Sequence, residues 1–175
     1  MNVSDLGEDV KQYKLKLIYI ILFFVIIGLV IYSQVITAKL FFDDEYYIVR
    51  NLYVHDFNYA GKIFTSGATN GAGFITTYYR PMQFLSYLII YSMFKTNPMP
   101  YHLFSIFLHI GISILIYLIL NHLNYSTTVS IFSSLLFLVH PLSTQAVSYV
   151  SGSRRNWFVF CNVFVVYLYS RGLFL

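Results

Sequence analysis

Three adjacent carboxylates, Asp43, Asp44 and Glu45, follow a long apolar run near the start of the chain. A carboxylate that is held at a membrane surface can accept the proton of a hydroxyl group and so act as a general base. The competing interpretation is a solvated acidic loop, because charged side chains are ordinary on loops. These residues alone therefore leave general-base catalysis and a plain acidic loop both open.

Three arginines are placed where the phosphate of an anionic lipid would arrive, namely Arg80 and the pair Arg154 and Arg155. A guanidinium group binds two phosphate oxygens at once, which a lysine does less specifically. For Arg154 and Arg155 the alternative is simple anchoring to lipid headgroups. The sequence supports a phosphate site and a headgroup anchor equally for this pair.

Histidines within apolar segments are further candidates. His109 lies in a predicted membrane helix, where ionisable residues are functional candidates by default, although a hydrogen bond to a neighbouring helix is the simpler explanation. His140 precedes Pro141, and we expect it to cap a break in a helix. The single cysteine, Cys161, excludes a disulfide framework and a CxxC metal site, and we assign no metal ligands.

The elements that must position these residues are membrane helices. Of the 175 residues, 58% are hydrophobic and 10% are charged, whereas soluble domains carry about 25% charged residues. The net charge of +4 comes from scattered lysines and arginines, which argues against nucleic-acid binding. The sequence therefore predicts an all-α integral membrane protein whose membrane domain covers residues 17–175.

Within this domain we predict about four transmembrane helices and an extracytoplasmic loop. About 20 residues at helical rise cross the hydrocarbon core of a bilayer. The loop covers residues 37–81 and leads into an interfacial helix at 82–94, because a segment of that length is too short to cross. The predicted spans are residues 17–36, 101–122, 128–142 and 157–173.

The orientation follows from lysines in the tail formed by residues 1–16. Lys11, Lys14 and Lys16 precede the first span, which predicts a cytoplasmic N-terminus. Arg154 and Arg155 then fall outside, against the positive-inside rule, unless they bind an anionic ligand there. The absolute orientation therefore stays open at this stage.

Four motifs occur in one order along this pattern: FDDEYYIVRN at 42–51, YRP at 79–81, NPMPYHL at 97–103 and LFLVHPLSTQAVSYVSG at 136–152. Because these four motifs occur in this order, the chain resembles the amino-terminal part of the GT-C membrane glycosyltransferases. The resemblance is to their protein O-mannosyltransferase-like branch, which includes membrane proteins with tetratricopeptide repeats. It covers about residues 17–169.

The resemblance implies an enzyme that moves a sugar from a polyprenyl- or dolichyl-phosphate carrier to a hydroxyl acceptor on the extracytoplasmic side. The acceptor is a protein or glycan, with protein favoured, and the membrane is the bacterial inner membrane or that of the endoplasmic reticulum. No cofactor is implied beyond the lipid-linked donor, and a divalent metal is left open. The protein's other expected partners are the membrane lipids.

The resemblance also assigns roles to residues. It places the acidic pair of the family on Asp43 and Asp44, with Asp43 as the base and Asp44 in a supporting role. A register shift of one residue would make the pair Asp44 and Glu45. In an extended segment, adjacent side chains would point in opposite directions. The resemblance also assigns four basic residues to binding of the donor phosphate: Arg80, His102, Arg154 and Arg155.

Members of this family usually have nine or more membrane helices, whereas this sequence reaches only the fourth. We therefore expect a fragment, a truncated and inactive product, or one part of a split protein whose missing helices come from a second chain. The alternative function is a non-catalytic multi-pass subunit, such as a transporter or an assembly component. A transporter should carry ionisable residues near the bilayer midplane, and no Asp or Glu lies in a predicted span.

Overall fold

The computed structural model describes residues 3–172, and it describes no side chains for residues 3–11 and 13. Over this range the chain is helical and contains no β-strand. Short 3₁₀ and π turns join the α-helices. The α-helices are α1 (Val3–Ile31), α2 (Ala60–Thr65), α3 (Pro81–Phe94), α4 (Pro98–His122), α5 (Thr127–Val139), α6 (Thr144–Ser148) and α7 (Ser153–Ser170).

Local signals fix the ends of the helices that matter for the site. Helices α3 and α4 both begin with a proline, whose missing N–H group costs nothing in the first turn. The Asn97 side chain caps α4 by accepting a hydrogen bond from the Met99 N–H at 3.2 Å. Ser126 caps α5 in the same way through the Val129 N–H at 3.3 Å.

Helices α1, α4 and α5 pack as an antiparallel bundle. The ring of Phe24 lies 6.3 Å from that of Tyr117, and the ring of Tyr32 lies 5.7 Å from that of His109. Residue numbers thus rise along α1 as they fall along α4, so the two helices run in opposite directions. The Tyr32 hydroxyl also donates to the Leu138 carbonyl at 2.9 Å, which brings the end of α5 to the end of α1.

Helix α7 runs beside α4 in the same direction. The Asn156 amide donates to the Ser105 carbonyl at 3.4 Å near the start of both helices. The His122 ring lies 2.6 Å from the Ser170 carbonyl near the end of both. The last turn of α1, the first turns of α4 and α7, and the end of α5 therefore lie at one end of the bundle.

Two helices of the described part are long and apolar enough to cross a membrane, in the windows Lys14–Ile31 and Pro98–His122. Helix α5 together with residues 141–148 makes a third span if the pair, bent by 49°, is counted as one. The predicted number of four is not confirmed, because the first turn of α7 carries Arg154 and Arg155 and makes that helix less apolar. Apolar side chains on the outer face of α1, such as Val30, are exposed as a lipid-facing surface requires.

The bend between α5 and residues 141–148 lies near Pro141, as predicted. Helix α5 ends at Val139, since Pro141 lacks the N–H group that would continue it. His140 caps the following turn, and its Nδ1 accepts from the Leu142 N–H at 3.2 Å. Other ends differ from the predicted bounds: α1 ends at Ile31 before a 3₁₀ turn, and α7 begins at Ser153.

The segment between α1 and α4 forms a layer over this end of the bundle. It has its own core, in which Ile48, Val54 and Leu88 are fully buried. Tyr101 of α4 and Val150, which follows α6, complete this core, so the layer is fixed to the bundle. Helix α3 occupies the segment predicted as interfacial and buries its Phe84, Tyr87 and Leu88 side chains within the layer. The layer positions the acidic residues opposite the start of α7.

Candidate functional site

The three adjacent carboxylates face three different environments. The segment is a helical turn that continues into a π turn at Glu45–Val49, and not an extended strand. Successive side chains on a helix point about 100° apart. Asp43 is therefore exposed, while Asp44 is buried. Glu45 is exposed and accepts a hydrogen bond from Arg50 Nε at 2.9 Å, so its charge is already paired.

The residue before this turn has a strained backbone. Phe42 has a φ of 52°, in the left-handed region, which costs a non-glycine residue roughly 1–2 kcal/mol. Strain of this kind persists only where the surrounding structure imposes it, and it is concentrated at functional sites. Here it lies directly before Asp43.

Asp44 anchors the turn to a distant part of the chain. Its Oδ1 accepts a hydrogen bond from the Ser151 N–H at 2.7 Å, and its Oδ2 accepts one from the Phe41 N–H at 3.2 Å. Burial raises the pKa of Asp44 even though both N–H groups act in the opposite direction. Asp44 thus holds the loop against the segment that leads into α7.

A second set of buried polar groups holds that segment from the side of α3. Gln83 Nε2 lies 3.0 Å from the Ser151 carbonyl, 3.2 Å from Ser153 Oγ and 2.6 Å from the Tyr87 hydroxyl. Tyr87 in turn donates to the Val150 carbonyl at 2.7 Å. Burial raises the pKa of Tyr87, which keeps it a neutral donor. The segment 150–153 is therefore fixed from two sides before α7 begins.

Gly152 allows this segment to lie directly against α6. A Cβ atom at Gly152 would clash with the backbone carbonyl oxygen of Gln145, which cannot move as a flexible side chain can. Gln145 Oε1 also accepts a hydrogen bond from Arg155 Nη2 at 3.2 Å. The close approach thus brings the Gln145 amide within reach of Arg155.

Asp43 and the three predicted arginines meet at one cavity of about 370 Å³, which we call the arginine cavity. Within the part of the chain that the structure describes, none of these three arginines has a carboxylate partner. Three guanidinium groups therefore face a single carboxylate, and the cavity carries a net positive charge. Its lining residues are Phe42, Asp43, Arg80, Gln145, Tyr149, Ser151, Gly152, Arg154 and Arg155.

Arg80 is the most firmly positioned of the three cations. Its Nη1 donates to the Tyr47 hydroxyl at 3.0 Å, and its Cζ lies 5.4 Å from the centre of the Tyr47 ring. The Tyr78 ring lies 5.3 Å away from the same atom. Arg154 and Arg155 are exposed in the first turn of α7, where free backbone N–H groups also favour an anion.

A second cavity of about 350 Å³, which we call the apolar groove, shares Arg80 and Arg154 with the arginine cavity. Most of its wall is apolar, between the start of α3 and the first half of α7. The arginine cavity thus adjoins the apolar groove, an arrangement that suits a phosphate attached to a hydrocarbon chain. The remaining lining residues of the groove are Tyr79, Pro81, Met82, Gln83, Trp157, Phe158 and Cys161.

Besides the buried Asp44, three further predicted candidates do not border the arginine cavity. His102 is 1% exposed inside α4, so it cannot touch a ligand there. His109 is buried in the bundle, with Nε2 3.3 Å from the Leu138 carbonyl, as expected of a helix-packing residue. Glu45 is paired with Arg50. Among residues 3–172 with described side chains, no three His, Cys, Asp or Glu residues cluster as metal ligands.

Two residues that hold the site together were not predicted from the sequence. Gln83 and Ser151 carry no charge and lie 68 positions apart. The one available signal was an amide at position 83 within a mostly apolar segment. A buried amide needs polar partners, which would have marked Gln83 as a contact point.

Comparisons with known proteins give the following similarities. A stretch of 96 residues, 54% of this chain, is 34% identical to the human Protein O-mannosyl-transferase TMTC3 and makes up 10% of that protein. A stretch of 138 residues, 75% of this chain, is 25% identical to Protein O-mannosyl-transferase F38B6.6 of Caenorhabditis elegans and makes up 20% of it. The chain thus spans a tenth to a fifth of these curated relatives. No family model matches, and no solved structure matches.

Proposed function

We propose that this chain carries the donor-binding and base residues of a GT-C-type membrane mannosyltransferase. The reaction moves mannose from a polyprenyl- or dolichyl-phosphate carrier to a protein hydroxyl on the extracytoplasmic side. The observation that carries this proposal is the arginine cavity, which contains Asp43 and adjoins the apolar groove. The names of the similar proteins support mannose as the sugar and protein as the acceptor.

The proposed reaction is a displacement at the anomeric carbon of the sugar. The acceptor hydroxyl oxygen forms a bond to that carbon, and its proton passes to the Asp43 carboxylate. The bond from the anomeric carbon to the phosphate oxygen breaks, and its electron pair stays on the phosphate. Arg80, Arg154 and Arg155 stabilise this charge, because positioned cations act strongly on charge that develops in the transition state.

Asp44 has a positioning role in this mechanism. It touches neither cavity, but its bonds to Phe41 and Ser151 set the distance between Asp43 and the first turn of α7. The course of α7 beside α4 supports α7 as a further membrane span, with its two arginines at the surface. The site would then lie at the level of the lipid headgroups, where a membrane-bound donor presents its phosphate.

Replacement of Arg154 or Arg155 by alanine should weaken the binding of polyprenyl phosphate to purified protein by about tenfold each, since a hydrogen bond to a charged group contributes about 1.5–3 kcal/mol. The chain has a single tryptophan, Trp157, and it lines the apolar groove. Its fluorescence therefore reports occupancy without a label.

The matched control for this experiment is Arg171→Ala, an arginine at the opposite end of α7. It should bind polyprenyl phosphate as the wild-type protein does. Unchanged binding in Arg154→Ala, Arg155→Ala and Arg80→Ala would remove the proposed donor site.

The sidedness of the loop has its own test. In a Cys161→Ser background, a cysteine at Ser66 in the loop should react with a membrane-impermeant thiol reagent in intact cells. A cysteine at Asn124, in the turn after α4 at the other end of the bundle, should react only after permeabilisation. The reason is that the lysines before the first span favour a cytoplasmic N-terminus. The opposite labelling pattern would reverse the orientation.

A further inference from the structure

We propose that a second pocket at Asp43 is the acceptor subsite, and that it takes an apolar side chain next to the reacting serine or threonine of a polypeptide. This inference rests on the proposed function. The pocket has a volume of about 270 Å³ and shares Asp43 with the arginine cavity. We call it the aromatic pocket, after Tyr46, Tyr47 and Phe74 in its wall.

The position of Asp43 between two cavities matches the geometry of the reaction. In a displacement, the incoming oxygen and the leaving phosphate lie on opposite sides of the reacting carbon. The base must also be within hydrogen-bond reach of the incoming hydroxyl. The phosphate belongs in the arginine cavity, so the hydroxyl must approach Asp43 from another direction. No lysine or arginine is among the described residues that line the aromatic pocket, and Arg50 and Arg80 contact only the Tyr46 and Tyr47 side chains of its wall.

The wall of the aromatic pocket is built to receive an apolar group. The Tyr46 and Phe74 rings lie edge to face with centroids 5.2 Å apart. Phe74 is 53% exposed, so much of its ring meets solvent in the free protein. Arg50 Cζ lies 5.4 Å from the centre of the Tyr46 ring and helps to fix it. An incoming apolar side chain would remove this exposed aromatic surface from water.

Both threonine hydroxyls of the pocket are already hydrogen-bonded within the protein, which leaves few groups for the hydroxyls of a sugar and favours a polypeptide over a glycan. The Thr69 hydroxyl bonds to the Thr76 hydroxyl at 3.0 Å and to the Phe74 carbonyl at 3.0 Å. These bonds also hold the Phe74 segment in place. A sugar unit would need several free donors and acceptors for its hydroxyl groups. An apolar side chain needs none, and the volume of the pocket suits one such side chain.

The test compares Phe74→Ala with Ile75→Ala. Ile75 is the next residue, is apolar and 94% exposed, and does not border the pocket, so its substitution is a matched control. Purified variants receive polyprenyl-phosphate mannose together with synthetic peptides that have a central threonine flanked by phenylalanine or by glycine. The readouts are mannose transfer to each peptide, equilibrium binding of each peptide, and release of free mannose without any peptide.

We expect Phe74→Ala to raise the KM for the phenylalanine-flanked peptide by about tenfold, because contact with one large apolar side chain is lost. Its KM for the glycine-flanked peptide and its release of free mannose should stay at wild-type values. Ile75→Ala should match the wild-type protein throughout. This split between acceptor and donor readouts would not arise from a general folding defect.

The remaining possible results would overturn either the acceptor subsite or the proposed function. Equal KM values for the phenylalanine-flanked peptide in the wild-type protein and Phe74→Ala would overturn the subsite and leave the proposed function standing. A glycan acceptor that is used in preference to both peptides would overturn the polypeptide assignment. Failure of the wild-type protein to transfer or release mannose would count against the proposed function alone. In that case, equilibrium binding of the peptides would test the subsite. If Phe74→Ala binds both peptides as tightly as the wild-type protein does, the subsite is overturned.

Discussion

Replacement of Asp43 by asparagine is expected to lower sugar transfer by about 10²–10⁴-fold, the usual contribution of a positioned general base. Asparagine keeps the shape of the side chain and removes its basicity. Asp43 is exposed, and no hydrogen bond or ion pair with another described residue engages its side chain. Folding should therefore not depend on it, and membrane insertion and polyprenyl-phosphate binding should be unchanged in the variant.

Glu45→Gln is the matched control for this prediction, since Glu45 is also an exposed carboxylate of the same turn. Its charge is paired with Arg50, and it borders neither the arginine cavity nor the aromatic pocket. Transfer by Glu45→Gln should stay within about twofold of the wild-type rate, as for a surface substitution of little energetic effect. Loss of transfer in Glu45→Gln with a normal rate in Asp43→Asn would instead favour the register shifted by one residue. If Asp43→Asn and Asp44→Asn each transfer sugar at the wild-type rate, this loop has no catalytic role.

Replacement of Asp44 by alanine is expected to destabilise the protein by about 2–3 kcal/mol, because it leaves the N–H groups of Phe41 and Ser151 without their acceptor. It should also lower transfer, since the loop that carries Asp43 would no longer be held against the start of α7. The measurement is the midpoint of thermal unfolding in detergent. Asp56→Ala, which removes an exposed carboxylate that caps only a turn of the same loop, is the control and should have a smaller effect.

The Asp44→Asn variant should behave differently and should depend on pH. Asparagine keeps an oxygen for the Ser151 N–H and carries no charge to bury. Burial raises the pKa of Asp44 above its ordinary value of 3.8, so the folded protein holds this proton to a higher pH than the unfolded chain does. As pH rises from 3.8 through the folded pKa, the wild-type protein should therefore lose stability relative to Asp44→Asn. A wild-type protein that gains stability over this variant in the same window would contradict the account.

Hydropathy predicted most of the architecture, because a bilayer leaves few alternatives to long apolar helices. The first span, the span in α4 and the break at Pro141 all follow from the order of apolar and helix-breaking residues. The predicted fourth span is not confirmed, since Arg154 and Arg155 lie inside the first turn of α7. Charged residues at the end of a helix lower its apparent hydropathy, although their side chains can lie at the membrane surface.

The site was predictable only in part. The sequence singled out Asp43, Arg80, Arg154 and Arg155, and the structure brings all four to one cavity. It could not separate the environments of Asp43 and Asp44, because their difference depends on a helical turn and on a contact with Ser151, 107 residues further on. Nor could it show that His102, which the family resemblance assigns to the donor phosphate, is buried in a helix.

The most direct test of the central claim is consumption of the donor by the wild-type chain in lipid vesicles. Polyprenyl-phosphate mannose with a radiolabel in the sugar is supplied on the side of the loop, and the label is followed as it leaves the lipid for peptide or water. We predict release that depends on the protein and is lost in Asp43→Asn, while Trp157 fluorescence shows that the donor still binds. A wild-type protein that neither changes its Trp157 fluorescence with polyprenyl phosphate nor releases labelled mannose would contradict the account.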